Sequence, residues 1–196
     1  MTIKNIRPLA FLFSLSACNH SNLTYDKPYF DFDSLVTHQL NWLSPLGDSI
    51  KKIAIMDGKQ DASAFQATEE ALRHELDVFQ QLDVINKPIF KKAFLISAEE
   101  DTKSNLKVRL YQFNQQSNIK SPVDFVRFYY LNDIHHLKKI ESVYQEENAL
   151  YFTKRNLTVE FEEKADRSML KRYSISGVQK MILNDTVKFT ISSTIF

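Results

Sequence analysis

Two hydrophobic periods divide this chain. In YFDFDSLVTHQLNWLSPLG, residues 29–47, the positions Phe32, Leu35, Val36, Gln39, Leu40 and Leu43 recur every three or four residues. That spacing puts them on one face of a helix. Asp31 or Asp33 can cap its start, and Pro45 with Gly47 ends it. A short hairpin follows, turning at Asp57-Gly58, because a type I′ turn needs positive φ at both central residues. A second helix is predicted in ATEEALRHELDVFQQLDVI, with Thr68 as N-cap and Glu69 and Glu70 at the positive end of its dipole. Leu72, Leu76, Phe79 and Asp83 or Leu82 line one face. Asn86-Lys87-Pro88 stops it, since the residue before proline avoids the helical region.

From Ile89 onward the period becomes two. Predicted strands are 89–97, 106–113, 123–131, 136–146, 149–162, 169–183 and 186–195, separated by short polar connectors such as EEN and EKADR. Short connections between successive strands favour an antiparallel meander. In 151–162, Tyr151, Leu157, Val159 and Phe161 share one face, while Lys154, Asn156, Thr158, Glu160 and Glu162 share the other. One face is dry and one is wet. The expected architecture is α+β: a long antiparallel β-meander, twisted or curled toward a half-barrel, packed by two N-terminal helices in a single domain at 29–196.

Neither period accounts for the start. MTIKNIRPLAFLFSLSAC carries two positive charges, Lys4 and Arg7, then an apolar core Leu9–Leu15, then small residues and Cys18. This is the layout of a secretory signal peptide, with an apolar run too short to span a bilayer. Leu15-Ser16-Ala17-Cys18 closely resembles the lipobox of bacterial lipoproteins. The resemblance implies cleavage after Ala17 (signal peptide 1–17), a diacylglycerol thioether on Cys18, and a further acyl chain such as palmitate on the new amino terminus. Two or more chains anchor a protein stably where one does not. Residues 18–28 then form a lipidated polar tether. Asn19 is not the aspartate that marks inner-membrane retention in such lipoproteins, so the outer membrane is the expected location. Cys18 is the only cysteine, which excludes an intramolecular disulfide.

Composition narrows the function classes. Without Lys4 and Arg7, 25 basic residues against 24 acids become a net charge of about −1. No basic excess invites nucleic acid. Three glycines beside 15 Phe and 8 Tyr suit long aromatic strands and leave little for a phosphate-cradling loop. No nucleophile elbow, P-loop, dinucleotide fingerprint, zincin or EF-hand motif occurs. On a strand, the adjacent His135 and His136 would point to opposite faces. His38 and His74 stand alone on helices, so no metal set and no cofactor is read from spacing. Carboxylates at 99–101, 146–147 and 160–163 fall in turns or on the wet face. The chain is therefore read as a non-enzyme.

Aromatic density at Phe125-Val126-Arg127-Phe128-Tyr129-Tyr130 first reads as a covered central strand. Alternatively, Phe125, Phe128, Tyr129 and Tyr130 line an apolar pocket open at one end of a curved sheet. The terminal Phe196 resembles an outer-membrane barrel signal. However, Arg155 would then face lipid at about 2–4 kcal/mol near the midplane, so a barrel is rejected.

Four stretches carry a wider resemblance: Asp57-Gly58-Lys59, Asp83 to Pro88, Leu150 to Leu157, and Tyr173 to Ile182. Together they resemble, in the same order, a family of uncharacterised lipoproteins common in Bacteroidota. Phe152-Thr153 replace the two serines usual there. The resemblance implies an envelope location and agrees with α+β. It brings no activity or catalytic residues.

The leading expectation is a lipid-anchored module that binds an apolar ligand or an envelope protein. A structural accessory subunit of an outer-membrane complex comes second, and an enzyme last. Cys18→Ala should abolish fatty-acid incorporation in metabolic labelling and leave the protein unprocessed. A mutant that still labels would overturn the lipobox reading.

Overall fold

In a computed structural model, residues 26–182 and 185–196 are described. The signal peptide, Cys18 and most of the tether lie outside them. Two helices, α1 (Phe32–Leu43) and α2 (Glu69–Gln80), pack on one face of a sheet. The strands are β1 (Ser49–Met56), β2 (Lys59–Gln66), β3 (Phe94–Glu100), β4 (Lys107–Phe113), β5 (Val123–Tyr130), β6 (Leu137–Glu147), β7 (Tyr151–Lys164), β8 (Arg167–Met181) and β9 (Val187–Ile195).

These nine strands form one open antiparallel sheet in the order β2-β1-β9-β8-β7-β6-β5-β4-β3. β3 to β9 are the meander expected from the period of two. The β1–β2 hairpin joins at its far end, where β1 pairs with β9 from Ile50↔Ile195 to Met56↔Phe189. Asp57 and Gly58 have φ of 48° and 81°, as the I′ turn demands.

Both helices start where their caps sit. Asp31 Oδ1 accepts from the Ser34 amide at 3.0 Å, and Thr68 Oγ1 accepts from the Ala71 amide at 3.2 Å. Their apolar faces, with Leu82 and Ile85 beyond α2, bury against the inward residues of the sheet: Phe128, Ile140, Leu157, Val159, Phe161, Leu170 and Tyr173. Asp83 and Leu82 are both buried, because α2 tightens after Gln80 into a 3-10 helix, Gln81–Asn86, whose three-residue turn shifts which side chains point inward. The 89–97 strand starts later than expected. Pro88–Phe90 form another 3-10 turn, Lys92 has φ of 68°, and strand pairing begins at Phe94. Consecutive burial of Ala93 and Phe94 is how the chain crosses from the helix layer to the sheet edge.

One polar side chain docks α1 on the sheet. Buried Gln39 donates from Nε2 to the Ser168 carbonyl at 2.9 Å and accepts the Leu170 amide at Oε1 at 2.7 Å. It satisfies both groups where the β7–β8 register shifts between Glu160 and Phe161. Gln39→Leu keeps the volume but strands a buried N–H and a buried C=O. It should cost about 2–4 kcal/mol in urea unfolding; a loss under 0.5 kcal/mol would show that the docking is apolar alone.

Candidate functional site

Helices this short cannot cover strands this long. Twelve residues of α2 reach about 18 Å, whereas the fifteen of β8 reach up to about 50 Å. The inward face of β6–β9 beyond α2 is therefore open, and a cleft of about 370 Å³ lies there. Ile175, Phe189 and Ile191 make its floor and Val78 of α2 one wall. Glu146, Tyr151, Thr153, Arg155 and Gln179 supply its polar part.

Arg155 sits on the inward side of β7, opposite Gly177 on β8 and Tyr144 on β6. A Cβ at Gly177 would collide with the Lys154 carbonyl oxygen and stand 3.1 Å from the Arg155 Cα. Glycine thus permits the close approach of β7 and leaves the place beside Arg155 without a side chain. The guanidinium stacks over Tyr144, 4.5 Å from its ring centre, and Nη2 donates to Gln81 Oε1 at 3.3 Å. Nε is buried without a hydrogen-bond partner among the described residues, and no carboxylate forms an ion pair with the group within 4.0 Å. Glu146, the carboxylate of the cleft, raises the Tyr151 phenol instead. Burial, followed by the Glu146 charge, raises Tyr144 while Arg155 lowers it. The cleft combines an apolar floor with one under-used cation.

The four aromatics expected to line a pocket do not share a face. Phe128 and Tyr130 point into the core, where Phe128 packs against Phe30, Phe32 and Tyr111. Phe125 and Tyr129 lie on the outer face, under Arg127 and Lys139, and the Tyr129 hydroxyl donates to Glu141 at 2.9 Å. Strict alternation along β5 separates them, and none of the four lines the cleft. Arg155 falls on the dry face of β7 by simple alternation, and that one cation beside Leu157, Val159 and Phe161 was the signal available in the sequence.

Two clusters were also hidden by sequence distance. His136 lies in the turn before β6 rather than on a strand. Its ring approaches Glu163 at 3.9 Å and Asp133 at 3.8 Å, and Asp166 joins it within metal-ligand range. Lys138 holds Glu163 at 2.8 Å, so a resident cation already balances this exposed group. The second, Asp31, Asp33 and Asp83, surrounds the Lys27 ammonium at 2.6, 2.7 and 3.0 Å. Lys27, expected in the tether, thus belongs to the domain. Partial burial opposes its charge, yet the three carboxylates raise it well above the ordinary lysine range. Burial likewise works against ionised Asp31 and Asp33, but Lys27, with Ser34 on one and Gln80 on the other, holds both below the usual carboxylate value.

Compared with known proteins, the chain matches no family model, no curated protein and no solved structure.

Because the Asp31 and Asp33 values are depressed, the clasp contributes fully above their ordinary value near 3.8 and is lost as pH falls through the lowered values. Lys27, being raised, loses its part only above the ordinary lysine value of 10.5. Lys27→Met should cost about 2–4 kcal/mol at neutral pH, chiefly through buried Asp83 because Asp31 and Asp33 are half-exposed. In denaturant unfolding across a pH series, the gap from wild type should be flat between pH 5 and 9 and close below pH 4. A pH-independent gap would mean that the clasp acts by packing alone.

Proposed function

We propose that this protein is a lipid-anchored binding module of the bacterial cell envelope, held at the outer membrane through Cys18. It takes an amphiphile with one anionic group and an apolar tail in the cleft beside α2. The observation that carries this reading is Arg155: a cation with a buried, unpartnered Nε above an apolar floor of Ile175, Phe189 and Ile191. An unpaired buried donor costs about 1–3 kcal/mol, and a charge-assisted bond to a carboxylate or phosphate would recover it. The tail would cover Phe189 and Ile191, which the helices leave half-covered. The reading is one of binding rather than catalysis, with no cofactor and no nucleic acid involved.

A second reading, an accessory subunit of an envelope complex, is favoured by the free edge of β3, where Leu95 and Ile96 are 60% and 57% exposed. An extended segment of a partner protein would add there as a tenth strand.

The test compares palmitate with its methyl ester on the chain from residue 18, carrying Cys18→Ser, by fluorescent fatty-acid displacement and native mass spectrometry. Arg155→Met should weaken palmitate about tenfold or more, leave the ester unchanged, and alter unfolding stability by less than about 0.5 kcal/mol. Equal palmitate affinity in both proteins, or none in either, would sink the amphiphile reading. Capture of an envelope protein abolished by Ile96→Lys would then favour the second.

A further inference from the structure

The strand directions place four turns at one end of the sheet: β1–β2, β4–β5, β6–β7 and β8–β9. Exposed apolar side chains stand at β6–β7 and β8–β9, and Met56, 59% exposed, stands at β1–β2. Leu150 is 64% exposed, Ile182 66% and Met181 42%, and it is their grouping rather than the exposure of any one that stands out. The two turns are stitched together, since the Ile182 amide donates to the Leu150 carbonyl at 2.9 Å and Tyr151 pairs with Met181. Together with Tyr151 and Phe152 they form one largely apolar tip around a shallow, open recess of about 140 Å³, which Glu147 and Lys180 also line. Tyr151 also lines the Arg155 cleft, so the tip stands at that cleft's mouth.

The chain enters the domain facing the same way. The far half of α1 meets the opposite end of the sheet, with Gln39 on Ser168 and Leu170 and Trp42 beneath Arg167. Its first turn points back toward the tip. There Asp33 accepts from Gln80 at the end of α2, and the adjoining Gln81 accepts from Arg155. Lys27 is clasped beside that first turn. Lys27 lies nine residue steps after Cys18, a reach of at most about 30 Å.

We propose that the β6–β7 and β8–β9 turns seat Leu150, Met181 and Ile182 in the interfacial layer of the membrane. This rests on the lipid anchor proposed above. A short tether starting on this side keeps the tip within reach of the bilayer. Protruding aliphatic side chains flanked by Tyr151 and Phe152 suit the boundary between headgroups and acyl chains. Seating the tip there would open the Arg155 cleft toward the lipid surface.

The test uses the full-length lipidated protein. The lipid consumes Cys18, the only native cysteine, so a thiol introduced by Leu150→Cys, Ile182→Cys or Lys103→Cys is uniquely labelled. Lys103 is exposed in the β3–β4 turn at the opposite end and serves as control. Each labelled protein is placed in vesicles of phosphatidylethanolamine and phosphatidylglycerol containing a lipid-borne quencher. Quenching at 150 and 182 at least threefold stronger than at 103 is expected. Equal quenching in protein that floats with the vesicles overturns the seated tip while leaving the anchor intact. Protein that fails to float removes the anchor, and the proposal with it.

Discussion

The organising constraint is a mismatch of length. An antiparallel strand gains about 3.4 Å per residue and a helix about 1.5 Å, so two twelve-residue helices cannot roof strands of eleven to fifteen residues. Where the roof exists, the inward face is core: Leu157, Val159, Phe161 and Tyr173 are buried. Where it ends, the same face turns from apolar to mixed, with Thr153, Arg155, Gly177 and Gln179 following on the same two strands. Core and cleft are one surface, divided by the end of α2.

Polar contacts decide where that division falls. Gln39 ties α1 to β8 by completing the hydrogen bonds of a bulged strand. Asn86 and Asp83 accept the amides of Tyr29 and Phe32, which fixes the entering chain against the 3-10 helix after α2. The Lys27 clasp closes the same corner with charge. Each is expensive to break, because a buried group left unpaired forfeits its hydration without compensation. Apolar packing alone would let the helices slide along the sheet, whereas directional bonds do not.

The same logic sets Arg155 apart from the charges that build the fold. On the outer face Glu160 meets Arg172, and Glu162 meets Lys164 and Lys171. Lys52 reaches Glu75 across the helix–sheet interface. Arg155 has stacking and one long hydrogen bond and, among the described residues, no ion-paired carboxylate. A structural role is satisfied by a partner inside the protein, and a guanidinium without one has capacity for something outside it.

Much of this was legible in the chain itself. Capping residues, the Asp57-Gly58 turn, two helical periods and a run of alternating strands are local signals, since each depends on residues within a few positions of one another. They determined the α+β class, the meander and the dry face of β7. Local signals could not show that the β1–β2 hairpin returns to pair with β9, or that Lys27 meets Asp83. Nor could they show that His136 meets Glu163. Aromatic density at 125–130 misled for the same reason: composition counts side chains, while the pleat sends Phe128 and Tyr130 inward and Phe125 and Tyr129 outward. The cleft was the least legible feature, because it exists only where α2 runs out over β8. Pairing and coverage are relations between distant segments, and only the tertiary structure sets them.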